Sequence, residues 1–194
     1  MTPTAAPSPD APGQSLQLLL VVARHLENMS LPYLVVGAVA ATVHGVVRAT
    51  LDADALVSIP LPLLAELGER FSADGYRTEL RVGDDTDPIP AMLVITDSFA
   101  NRVDLLGGLR GLDPAAFTRA ISVDFRNTTL RLAGIEDLVA MKCFAGRPQD
   151  LVDARAVLEF ADAPPDLDLL RRLTRRFGRG AADNLETLMS AEAD

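Results

Sequence analysis

The chain has 194 residues, 48% of them apolar, with one cysteine and no tryptophan, which bounds it to one aliphatic-cored domain, or a domain with a small helical extension, burying roughly 70% of its unfolded surface. A net charge of -9 and a pI near 4.7 exclude extended, sequence-independent binding of DNA or RNA, whose affinity comes from phosphate neutralisation by Lys and Arg. No apolar run approaches the roughly 18 residues needed to span a bilayer, and a lone cysteine excludes an intramolecular disulfide, so no membrane association and a cytoplasmic location are expected.

Residues 1–13 are rich in Pro, Ala and Ser without periodicity and read as a disordered tail. Residues 14–132 read as the core and 133–194 as a helical C-terminal region packed on it. The core opens with a helix over 14–28, whose Leu18, Val21, Val22 and Leu26 share a face and whose cap is expected at Ser15.

The stretch 33–57 organises the rest. Leu34, Val35 and Val36 form a short apolar strand that meets Gly37 and gives way to an Ala-rich helix ending at His44 and Gly45. The imidazole of His44 at a helix C-terminus is favourable without any chemistry. In the next strand a period of two puts Thr50, Asp52 and Asp54 on one face and Leu51, Ala53, Ala55 and Val57 on the other. Two carboxylates about 6.6 Å apart along a strand repel unless they share a cation.

A helix over 61–73 follows, with Leu64, Leu67 and Phe71 on one stripe, and then strands over 77–82, 91–96 and 102–106. The loop containing Asp84, Asp85 and Asp87 lacks the spacing and closing Glu of a calcium-binding hand and reads as solvated; residues 97–101 read as a hairpin turn. If the strand 102–106 pairs with the first acidic strand, Asp104 brings a third carboxylate to Asp52 and Asp54. A short helix at 114–119 precedes a hairpin of 121–125 and 128–132 around Arg126 and Asn127. Helices are expected over 135–146, from Pro148 onward, over 166–177 and over 181–189, with Cys143 a buried thiol.

Three carboxylates suit a hard divalent ion such as Mg2+, with Mn2+ an alternative, because such ions take oxygen ligands and keep positions for waters and substrate phosphates. Gly37, lacking a Cβ, lets a phosphate approach the backbone at the following helix. Lys142 offers either a point charge to a phosphate or an ordinary surface ammonium. Arg48 can hold a phosphate or pair with Asp150 or Asp153. Arg172, Arg175, Arg176 and Arg179 fall on one helical face, read as a solvated basic strip or a docking face for an RNA stem.

The run GAVAATVHGVVRATLDAD resembles the signature of the polymerase-β-like nucleotidyltransferase superfamily, which pairs a Gly-Gly or Gly-Ser with a downstream D-x-D and a later third carboxylate. The nearer resemblance is to minimal bacterial AbiEii-type and MenT-like nucleotidyltransferases associated with toxin-antitoxin systems. VDLL around Asp104 and the segment IEDLVAMKCFAGRPQDLVDARAVL extend it from about residue 30 to about residue 160. The chain departs from the pattern at Ala38, where Gly or Ser is usual, and at Leu51, Ala53 and Ala55.

The resemblance implies an α/β (α+β) fold with a small mixed sheet flanked by helices. It implies Mg2+-dependent transfer of a nucleoside monophosphate from an NTP to a hydroxyl, with RNA (tRNA) as acceptor and a cognate antitoxin as protein partner. Asp52, Asp54 and Asp104 would be catalytic and hold the metals. Gly37, Ala38, Arg48, Thr50 and Lys142 would bind substrate, and Arg147, Asp150 and Asp153 would orient Lys142 or Arg48. The alternative is a catalytically weakened member of the fold that binds nucleotide or a partner.

Overall fold

Tyr33–Val36, four consecutive buried residues, form β1 at the interior of a mixed sheet, where both faces of a strand are covered and the apolar run is continuous rather than alternating. The computed structural model describes residues 8–46, 50–125 and 128–190. Arg126 and Asn127, expected to turn the last hairpin, lie outside the described residues, as does Arg48.

The other strands are β2 (Asp52–Val57), β3 (Arg77–Val82), β4 (Ala91–Thr96), β5 (Arg102–Leu106), β6 (Ile121–Phe125) and β7 (Thr128–Leu132). Among the described residues they form one sheet of order β3-β4-β5-β2-β1-β7-β6. The pairs β2/β5 and β1/β7 are parallel and the rest antiparallel.

Helices α1 (Ser15–Asn28) and α3 (Leu61–Ala73) cover the face that carries Ala53, Ala55, Val103 and Leu105, all buried. Ser15, expected as the α1 cap, lies inside its first turn instead, with Gln14 at the cap position. Its hydroxyl donates to the Leu51 carbonyl (2.6 Å) and accepts from the Arg102 amide (3.0 Å), tying the helix to the ends of β2 and β5. Leu51, expected on the buried face, is 83% exposed, because β2 starts only at Asp52 and the alternation does not reach it. Of the N-terminal segment, the Ala11 carbonyl and the Gln14 amide are hydrogen-bonded by the buried Asn101 side chain.

On the opposite face α2 (Gly37–Val43) packs against β1 and β2, and the C-terminal helices gather around α4 (Ile135–Ala145). Every residue from Asp137 to Cys143 is buried, which is why α4 lacks an amphipathic stripe: α5 (Pro148–Phe160), α6 (Leu167–Arg176) and α7 (Arg179–Ser190) enclose it. Phe144 stacks on Phe177 with centroids 4.9 Å apart, joining the end of α4 to that of α6. The last helix begins at Arg179, two residues before the expected start. No helix among the described residues is long and apolar enough to cross a membrane.

Candidate active site

Strand register brings the three acids together. Asp54 is paired with Asp104 across the parallel strands β2 and β5, and Asp52 with Arg102, so all four side chains share one face. Neighbouring strands lie about 4.8 Å apart, and that is the spacing at which the Asp54 and Asp104 backbones present their side chains.

Asp52 is exposed and is fixed by Thr50, whose hydroxyl donates to the Asp52 carbonyl (2.8 Å) and to its carboxylate (3.1 Å). Thr50 therefore sets the acid rather than standing alone. Asp54 is half-buried, and burial first, then the charges of Asp52 and Asp104, push its carboxyl up to about 6 against the weaker opposing pull of Arg102 and Lys142. Asp104 is held bidentately by Arg102, with Nε and one Nη each 2.7 Å from a carboxylate oxygen.

Gly37 follows Val36, the β1 partner of Asp54, and has φ +64, a conformation that disfavours any side chain. A Cβ there would overlap the Asp54 Oδ2 and lie 3.1 Å from its Cγ. The glycine makes room for the acid. Ala38 is buried, and its carbonyl accepts from the Thr42 hydroxyl (2.9 Å). Helix α2 ends at His44, which bonds the Ala133 carbonyl through Nε2 (2.8 Å) and so latches α2 to the segment between β7 and α4.

Lys142 is buried rather than on a helix surface, the alternative its place in a helix allowed. Its Nζ donates to Asp153 (2.8 Å) and Asp150 (3.3 Å), while Arg147 Nε reaches the other Asp150 oxygen (2.6 Å) and Gln149 the other Asp153 oxygen (2.9 Å). Two of the three ammonium protons are engaged, leaving one for a further acceptor. Arg48, expected to bind substrate, lies outside the described residues.

Asp54, Asp104, Lys142, Arg147 and Asp150 line a cleft of about 400 Å³ whose inner wall is apolar, with Met92, Leu106, Leu138 and Phe144 among its residues. That volume is in the range of small-ligand sites. As for a divalent cation, the donor set fits: three carboxylates on one face, with the Asp54 carboxyl raised by burial and by the neighbouring Asp52 and Asp104. Among the described residues no three ligating side chains surround one point, and Arg102 donates to both Asp104 oxygens.

Arg102 was not singled out from the sequence. The signal was present, because a residue two before Asp104 in a strand must share its face. Cys143 is fully buried and its thiol is pushed up to about 11 by burial, so it is not a nucleophile. Asp84 closes its loop by accepting from the Thr86 amide and hydroxyl, both at 2.7 Å. On the basic strip all four arginines are exposed; Arg176 donates to the Gly111 and Leu112 carbonyls and Arg179 faces Asp183 (3.8 Å).

No protein-family model matches the chain, and no curated protein matches it in sequence. Solved structures do match. An antigenic nucleotidyltransferase-like protein from Paracoccidioides brasiliensis superposes with a TM-score of 0.60 at 13% identity, covering 95% of this chain and 91% of that one. The antibiotic-resistance factor ANT(2'')-Ia gives 0.54 at 13% identity, covering 92% and 98%. The lincosamide antibiotic adenylyltransferase LnuA, in its lincomycin-bound form, gives 0.50 at 13% identity, covering 79% and 100%. The chain has the nucleotidyltransferase-like fold, a mixed sheet flanked by helices, as its sequence implied.

Proposed function

We propose that the chain is a nucleotidyltransferase that moves a nucleoside monophosphate from an NTP to a hydroxyl acceptor and releases pyrophosphate. The observation carrying this reading is the register that sets Asp54 opposite Asp104, with Asp52 on the same face and Gly37 bent against Asp54, in a fold of this class. Asp52, Asp54 and Asp104 would hold Mg2+ or Mn2+, which supplies charge neutralisation for the triphosphate. Thr50 steadies Asp52. The Gly37 and Ala38 amides and the remaining Lys142 proton receive phosphate oxygens, with Asp150, Asp153 and Arg147 keeping the ammonium in place. The acceptor oxygen bonds to the α-phosphorus as the bond to the β-phosphate oxygen breaks, and Asp104 takes the hydroxyl proton.

RNA is the proposed acceptor and a cytoplasmic toxin paired with an antitoxin the proposed setting, on the motif resemblance from Gly37 to Asp54 and from Ile135 to Leu158. Incubating the protein with each labelled NTP, Mg2+ or Mn2+ and total tRNA tests it. Label transfer lost in Asp52→Ala and Asp54→Ala supports the enzyme; no transfer from any NTP overturns it. One observation favours a second reading, a nucleotide binder without turnover: Asp104 and Lys142 are both already engaged by charged partners. That reading expects NTP to raise the melting temperature with no label transferred.

A further inference from the structure

The same sheet face continues past the acids to the edge strand β3, and the register lays it out in rows. One row runs Arg77, Thr96, Arg102, Asp52, and the next runs Glu79, Val94, Asp104, Asp54. Arg77, Arg81, Thr96 and Arg102 line a second cleft of about 410 Å³, distinct from the one beside α4. Two of its guanidinium groups are occupied: Arg81 holds Glu79 through Nε (2.8 Å) and Nη (3.0 Å), and Arg102 holds Asp104. Arg77 makes no hydrogen bond or ion pair among the described residues and acts on Glu79 only through its field.

Arg102 is the joint between the clefts. Its side chain is 38% exposed and lines the basic cleft, while the carboxylate it holds is 10% exposed and lines the acidic one. A cation that binds the Asp104 oxygens competes with the guanidinium for them. The three arginines against Glu79 and Asp104 leave the basic cleft one positive charge in excess; with Asp104 given to a cation, the excess becomes two.

We propose that Arg77, Thr96 and Arg102 form a phosphodiester site for the end of an RNA strand, and that a divalent cation opens it by taking Asp104 from Arg102. The proposal rests on the transferase reading and gives its acceptor a place to bind. A guanidinium fork and a hydroxyl are matched to phosphate oxygens. Arg77 and Arg102 arise from strands two places apart, about 10 Å, so they offer two cationic positions in line rather than one pocket for a single phosphate. The line is open at the exposed edge strand and ends beside Asp52, where a terminal hydroxyl would meet the acids. So short a basic row agrees with the overall acidity, which is compatible with few phosphate contacts and not with many.

The experiment measures anisotropy of a labelled single-stranded oligoribonucleotide on the whole chain without NTP, with and without Mn2+, alongside Mn2+ binding by electron paramagnetic resonance. Mn2+ is expected to tighten wild-type RNA binding roughly fivefold, and Arg77→Ala to weaken it about tenfold while lowering the salt slope by about 0.7, one phosphate contact. Arg102→Gln is expected to remove the Mn2+ response of RNA binding yet bind Mn2+ itself several-fold more tightly, because the competing ion pair is gone. The proposal is overturned if the wild type binds no oligoribonucleotide, if binding survives Arg77→Ala, if it is lost instead in Arg172→Ala/Arg175→Ala, or if Arg102→Gln binds Mn2+ no more tightly. Label transfer to a hydroxyl compound without phosphate, unchanged in Arg77→Ala, overturns this site and leaves the transferase standing. Arg77- and Mn2+-dependent RNA binding in a chain that transfers nothing does the reverse.

Discussion

The carboxylate of Asp54 occupies the space that a side chain on Gly37 would need. Helix α2 and strand β2 thus meet at the site through one acid and one missing Cβ. Gly37→Ala faces both a left-handed backbone and this overlap, and is expected to lower stability by about 1–3 kcal/mol. In an Asp54→Ala background the overlap is relieved, so the same change should cost measurably less, with a coupling of about 0.5 kcal/mol or more in a urea-unfolding double-mutant cycle. Additive costs would show that the two residues do not compete for that space.

Lys142 sits between two buried carboxylates. Lys142→Met leaves Asp150 and Asp153 facing one another without it, and an unfolding free energy lower by about 3–5 kcal/mol is expected. Arg147→Ala, whose side chain is 79% exposed, should cost under about 1 kcal/mol. Equal losses in the two variants would contradict the burial argument.

The raised carboxyl of Asp54 gives a sign for pH. An unfolded aspartate titrates near about 3.9, so between there and about 6 the folded metal-free chain binds the extra proton. Its contribution to stability is full below the unfolded value and is lost as pH rises through about 6. Asp54→Asn should therefore be more stable than the wild type at pH 7.5 and gain little at pH 4, measured as melting temperature without divalent cations. A difference independent of pH would contradict the assignment.

Cys143 should be silent in the native chain. With its thiol pushed to about 11 and no exposed surface, alkylation at pH 8 is expected only after unfolding, followed by intact mass with and without urea. Labelling of the native protein at the rate of a free thiol would place Cys143 elsewhere than in the α4 core.

Much of this was legible before any coordinates. Alternation over Asp52 to Val57 and the apolar run around Asp104 gave two strands, and apolar periodicity gave α3 within its observed bounds, because each pattern is local. What the pattern could not hold is pairing. Nothing near Asp104 says that β5 lies beside β2 rather than beside β3, and nothing near Lys142 says that Asp150 and Asp153 turn inward to meet it. Leu51 and Ser15 were misplaced for a related reason: their environments are set by where α1 crosses the strand ends, a tertiary fact. The face of Arg102 is readable from its spacing to Asp104, but its partner is not, because two side chains two apart on a strand pair only where both are held against the same neighbouring strand.

The acids Asp52 and Asp54 are made on one strand and Asp104 on another, with α3, β3 and β4 synthesised in between. Half a chain emerging from a ribosome therefore carries two of the three carboxylates and no third, and Arg102 leaves the exit tunnel two residues ahead of the acid it will clasp. The acidic face is therefore incomplete until the fifth strand pairs in beside the second.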